Sequence, residues 1–251
     1  MKTNASKYKR NTHGISSNSK TGDKKYNKLL MLPLVFITAI LPFIMRLHRY
    51  DTGLSSFSWF SDNGESDDIF LYYKQVYFLI ACTIMLLLII FKVLKDKQSF
   101  KLKPILIPIS LYGLFALLST VISKYSSFGY KGIFEQFESI FVILGYCLII
   151  YYSFLFIQTE EDIKYILRFL LISVLVMGLL GLTQILGQNI FITSLAKNLI
   201  IPSKLRQTTD LDFTFEKNRV FLTLYNPNYV GVYVSLLVPL FAGLLVTEKK
   251  N

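Results

Sequence analysis

Histidine and cysteine each occur only twice in these 251 residues. His13 lies in a polar tail and His48 just beyond an apolar run, whereas Cys82 and Cys147 sit in the middle of apolar runs. No two of them have ligand spacing, so a Cys/His zinc centre is excluded and no metal site is expected. Both histidines read as solvated surface, and thiols set among Leu, Ile and Met read as small apolar side chains. A phosphate loop is missing as well, because no G-K-[ST] follows Gly129 or Gly132. No repeat of fixed period is present.

Charge is the second scarcity. Only 17% of residues are charged against 53% hydrophobic, with a mean hydropathy of +0.46; a soluble domain usually carries about 25% charged residues. Residues 29–45, 75–91, 104–123, 139–159, 169–196 and 220–247 contain no Asp, Glu, Lys or Arg. A hydrocarbon core of about 30 Å takes ~20 apolar residues in a helix, with ~17 as the lower limit. The expected fold is therefore all-α: a polytopic integral membrane protein with about six transmembrane helices, near 29–47, 75–92, 104–123, 139–158, 168–187 and 227–247. Arg46, Lys74 and Lys92 flank the two shortest runs, where they can snorkel to the interface.

Basic residues set the orientation, because Lys and Arg accumulate on the cytoplasmic side. With both termini cytoplasmic, the inner segments hold 17 basic and 6 acidic residues, and the outer segments hold 10 of each. The formal charge of +11 then falls wholly inside, which marks topology rather than nucleic-acid binding. Residues 1–28 are Lys-, Ser- and Asn-rich and too poor in apolar residues to fold alone; they read as a disordered basic tail tethered to anionic membrane lipids. Ile44-Met45-Arg46 offers no small-residue cleavage site, so the first span is expected to stay as an anchor.

Between the first two spans, SDNGESDD has a calcium-loop composition without the D-x-D-x-D-G order, and reads as a solvated loop with interfacial aromatics around Trp59. Glu135 and Glu138 are three apart, which would put both carboxylates on one face of the helix entering the fourth span. They are solvated helix ends or an acid/base pair. Gly178 and Gly181 suit close helix packing. Ile192, Leu195, Ala196 and Leu199 have the spacing of a helix lying flat on the membrane surface.

The most specific feature is Asn226-Pro227-Asn228 at the head of the last apolar run, with Arg219 seven residues earlier. The residue before a proline is pushed out of the helical region, and proline suits the first helical position. Asn226 is thus placed to cap a helix, accepting from the amide of Asn228 or Tyr229. A helix N-terminus also carries about half a positive charge and unpaired amides, which attract phosphate. Arg219 adds a planar fork matched to phosphate oxygens. Arg219, Asn226 and Asn228 are accordingly the candidate binding residues, with Glu135 and Glu138 as secondary candidates.

The run R-V-F-L-T-L-Y-N-P-N-Y-V-G, Arg219 to Gly231, with the apolar helix behind it, resembles the O-antigen ligase and O-antigen polymerase family of polytopic membrane glycosyltransferases. The close match ends near Val246, and the preceding five spans agree in layout alone. Val220-Phe221-Leu222-Thr223 replaces the family's small Ser-Gly-Thr stretch. The resemblance implies transfer of a glycan from a polyprenyl-diphosphate carrier outside the cytoplasmic membrane of a bacterium, with no metal and no soluble cofactor. It also implies a catalytic histidine in a large outer loop between later spans, which would lie beyond Asn251. By that reading residues 29–251 are the amino-terminal half of a longer architecture that awaits a carboxy-terminal half. Half of a transporter and a noncatalytic scaffold for envelope synthesis are the competing expectations.

Overall fold

The computed structural model describes residues 28–59, 61, 63–96, 103–133, 135–188, 190–207, 209 and 219–247. The basic tail expected over 1–28 therefore lies outside the described residues but for Lys28, as do Asp62 and the carboxy-terminal residues from 248. The chain is mostly helical. Its apolar helices are α1 (Lys28–Phe43), α2 (Tyr72–Asp96), α3 (Ile107–Ile122, led in by a 3-10 turn at Pro104–Leu106), α5 (Ile140–Phe156), α6 (Glu160–Ile185) and α8 (Pro227–Thr247). The short α4 (Ser126–Lys131) and α7 (Ser194–Ile200) lie between them. Four segments, Tyr72–Lys95, Pro104–Ile122, Glu160–Ile185 and Pro227–Thr247, are long and apolar enough to cross a membrane. They mark a multi-pass membrane protein; α1 and α5 are shorter.

The helix ends explain where the expected spans were misjudged. α1 stops at Phe43, not near 47, because Pro42 has no amide to donate and crowds the carbonyl one turn back. The chain first widens into a π-turn over Phe36–Ile40, then tightens to a 3-10 turn over Leu41–Phe43. α2 starts three residues early because both Asp68 carboxylate oxygens accept from its leading amides, Leu71 at 3.2 and 2.9 Å and Tyr72 at 2.7 Å. Lys74 thereby falls inside the helix. α6 begins at Glu160, eight residues before the expected 168, on a capping box in which Thr159 and Asp162 bond reciprocally. Glu160, Glu161 and Asp162 fill its first turn, where the helix dipole favours negative charge.

The all-helical expectation is also corrected by an antiparallel hairpin between α1 and α2. Strand β1 (His48–Asp51) pairs with β2 (Glu65–Asp68) in the register His48↔Asp68, Arg49↔Asp67, Tyr50↔Ser66 and Asp51↔Glu65. Arg49 clamps Asp67 through two bonds of 2.8 and 2.9 Å and reaches Thr209 at 3.0 Å. Two acids of the SDNGESDD stretch are thus engaged in structure, Asp67 by Arg49 and Asp68 by the start of α2, and Asp51 accepts from the Gly53 amide at 2.7 Å. Among the described residues no cluster of His, Cys, Asp or Glu could hold a metal.

The core lies where α1, α2 and α5 meet. Leu30, Met31 and Leu34 pack on Met85, Ile89, Tyr152 and Phe156, and the buried Tyr152 hydroxyl donates to the Leu30 carbonyl at 2.7 Å. Close approach of α5 to α2 depends on Gly145, where a Cβ would fall 2.5 Å from the Phe78 ring. Cys82 packs beside Phe78 and Val142, as an apolar residue would. At this bundle's far end from the hairpin, Lys28, Lys92 and Lys103 sit over the rings of Tyr165, Phe156 and Phe154.

Candidate functional site

Arg219 to Asn226 forms a strap across the end of the bundle that carries the hairpin, and its burial is unusual for a loop. Phe221, Leu222 and Thr223 are all buried. Loop backbone can be buried only if its polar groups find partners, and here three helices supply them. Gln184, near the end of α6, accepts through Oε1 from the amides of Phe221 and Leu222 at 3.1 and 3.0 Å. Thr223 donates its hydroxyl to the Pro42 carbonyl of α1 at 2.7 Å. Lys74, in the first turn of α2, donates its ammonium to the Thr223 carbonyl.

These tethers hold a strained path. Leu222 and Tyr225 have left-handed φ values of 52° and 77°, which cost of order 1–3 kcal/mol each in side-chain-bearing residues. Beneath the strap Phe70 meets Phe221 and Tyr225 edge-on, with ring centroids 6.2 and 6.0 Å apart. Burial raises the Tyr225 phenol above its ordinary value, and the nearby Glu135 adds to the effect, followed by Tyr229, Asp68 and Tyr50.

Asn226 caps α8 as its place before Pro227 predicts. Its side-chain oxygen accepts from both expected amides, Asn228 at 2.9 Å and Tyr229 at 3.2 Å, and its carbonyl takes Val230 at 3.4 Å. The amides expected to await phosphate are therefore already committed, and Pro227 has none. Arg219, which opens the strap, is exposed, and α8 presents the positive end of its dipole at the same end. Asn228 is exposed on the first turn of α8.

Glu135 and Glu138 do not share a helix face. Gly132, Glu135 and Phe137 all have left-handed φ, and α5 begins only at Ile140. Phe137 drives this path: it is buried and meets the rings of Tyr50 and Tyr72 edge-on at 5.5 Å each. A Cβ at Gly132 would come within 2.7 Å of the Phe137 backbone. Both carboxylates are exposed.

His48 is not solvated surface either. It is half-buried and stacked on Tyr72, with centroids 3.4 Å apart and planes 8° from parallel. Burial lowers its pKa from the ordinary 6.5, partly offset by the Asp68 carboxylate across the hairpin. Lys74 and Gln184 were not legible as site residues, because the contacts that define them span 149 and 37 to 38 positions of sequence.

Below the strap, α6 and α8 stand apart around a groove of about 640 Å³. Met177, Gly178 and Leu182 form one wall, Tyr233, Leu237 and Phe241 the other, and Val220 and Leu222 the roof. Gly178 and Gly181 do not seat a neighbouring helix, contrary to expectation. A Cβ at Gly178 would meet nothing within 4 Å, and one at Gly181 would meet the side chains of Leu222 and Val220 at 3.2 and 3.5 Å. No residue of α8 is buried. The stripe expected on a surface helix divides: Ala196 on α7 packs with Leu47, Leu195 and Leu199 are both 70% exposed, and Ile192 falls in the 3-10 turn ahead of α7.

No protein-family model, curated protein or solved structure matches this chain.

Proposed function

We propose that this chain provides the substrate-binding part of a membrane glycan ligase or polymerase that uses a polyprenyl-diphosphate-linked glycan at the outer face of the bacterial cytoplasmic membrane. In this reading all six apolar helices span and both termini are cytoplasmic. Lys28, Lys92 and Lys103 then gather at the inner face, as the positive-inside bias favours. The strap takes the outer face. One observation carries the proposal: a carbon-lined groove, within the ~300–1,000 Å³ of ligand pockets, runs beneath the strap that begins at Arg219.

The groove suits an isoprenoid chain, and Arg219 with the dipole of α8 suits the diphosphate where that chain ends. Diphosphate is the leaving group in such a transfer. A guanidinium that neutralises its developing charge lowers the barrier, while a general base must take the acceptor hydroxyl's proton. Binding and leaving-group stabilisation are what the strap and groove of this chain would contribute. A transporter reading would draw on Lys74 as an ionisable residue inside a helix. That lysine lies in the first turn of α2, however, whereas transporter sites lie near the bilayer midplane.

The test is photocrosslinking in lipid nanodiscs with a polyprenyl diphosphate that carries a photoreactive group on its chain. Labelling should concentrate on residues 177–185 of α6 and 230–241 of α8, and excess undecaprenyl diphosphate should compete better than undecaprenol. Uniform labelling of every lipid-facing helix would end the proposal.

A further inference from the structure

Lys74 places a charged side chain in the first turn of the apolar α2, at the end that meets the strap. Its neighbour Asp68 is itself buried, with its oxygens engaged by the amides of Leu71 and Tyr72. The ammonium reaches a carbonyl on a distant part of the chain, that of Thr223. Thr223 is 2% exposed and lies between the left-handed residues Leu222 and Tyr225. The bond therefore acts at the point where the strap would otherwise relax. Gln184 and Pro42 hold the same stretch from α6 and α1, so Lys74 completes a three-point mount for the backbone between Arg219 and Asn226.

We infer that Lys74 is a positioning residue: by holding the Thr223 carbonyl it fixes the strap from which Arg219 and the Asn226-capped helix address an anionic headgroup. This rests on the binding role proposed for that strap. The lysine itself lies outside the groove, which is walled by α6 and α8 and meets the strap only at its roof of Val220 and Leu222, so it bears chiefly on the headgroup end of the site. Its loss should therefore separate headgroup recognition from recognition of the chain.

The experiment measures binding of farnesyl diphosphate and of farnesol to the full chain in phosphatidylcholine nanodiscs. The unaltered protein should prefer the diphosphate. Lys74→Met should lower diphosphate affinity at least about tenfold, the scale of a charge-assisted hydrogen bond, and lower farnesol affinity far less. Lys74→Arg, which retains a cationic donor, should restore most of the preference. If the unaltered protein does not distinguish the two ligands, the headgroup role of the strap fails and this inference falls with it. If it does distinguish them and Lys74→Met distinguishes them equally well, only the inference about Lys74 is overturned. Equal loss of both ligands in Lys74→Met would make the lysine a general fold contact and would also overturn it.

Discussion

Replacing Gln184 by Leu tests whether the strap is a mounted structure or a loop at rest. The Gln184 side-chain oxygen accepts two amides, from Phe221 at 3.1 Å and Leu222 at 3.0 Å, and both residues are buried. Leucine has similar bulk and no acceptor, so two donors would be stranded. Each stranded buried donor costs about 1–3 kcal/mol, so the strap should lose about 2–6 kcal/mol against its open form. At the lower bound, amide exchange in a peptide covering residues 219–226 should quicken about 30-fold, at ~1.4 kcal/mol per factor of ten. Hydrogen-exchange mass spectrometry in nanodiscs reads this directly. Gln184→Glu keeps an acceptor and should change exchange far less. A Leu variant within about threefold of the unaltered protein would show that these bonds do not hold the strap, and the strain at Leu222 and Tyr225 would need another source.

The other expectations concern the groove, the core and the hairpin. Gly178→Phe should fold normally, since a Cβ there meets open space, yet it should reduce polyprenyl crosslinking to α8; undiminished labelling would place the chain elsewhere. Gly145→Ala should lower stability by about 1–3 kcal/mol by overpacking the α2–α5 contact, read as a lower denaturation midpoint in detergent. An unchanged midpoint would mean that Phe78 can move aside. His48 has a lowered pKa, so its neutral form suits the fold. Its contribution is complete above pH 6.5 and is lost as the pH falls through the lower folded value. Trp59, the chain's single tryptophan, should report hairpin loosening by fluorescence over that acid range. His48→Phe, which keeps the stack on Tyr72, should abolish the effect.

Features set by neighbouring residues were legible in the sequence. Pro227 fixed the start of α8, and Asn226 was readable as its cap because that bond spans two or three positions. Charge-free runs located the helices but misplaced several ends. Glu160 to Arg168 looked like a connecting loop, although the spacing of Thr159 and Asp162 is itself a helix-start signal. The hairpin escaped notice because β2 reads Glu-Ser-Asp-Asp, without the β-branched and aromatic residues that mark strands. Glu135 and Glu138 were misread because helical spacing carries no information about a turn that a distant aromatic cluster imposes. For the site, Arg219 and the Asn-Pro-Asn motif were visible. The tethers from α1, α2 and α6 were not, being products of tertiary packing.

The early stop of α1 at Pro42 has an effect beyond the protein itself. From Lys28 to Phe43 the helix is ~24 Å long, and the 17 residues of α5 span ~26 Å at 1.5 Å each, both below the ~30 Å of an average hydrocarbon layer. Both short helices belong to one packed cluster, so their deficits add on one flank rather than cancel around the perimeter. In the proposed six-span arrangement, lipids beside that flank would compress, while those beside the 26-residue α6 would not. The protein should thus sit in a dimple of its own making and partition toward thinner bilayers.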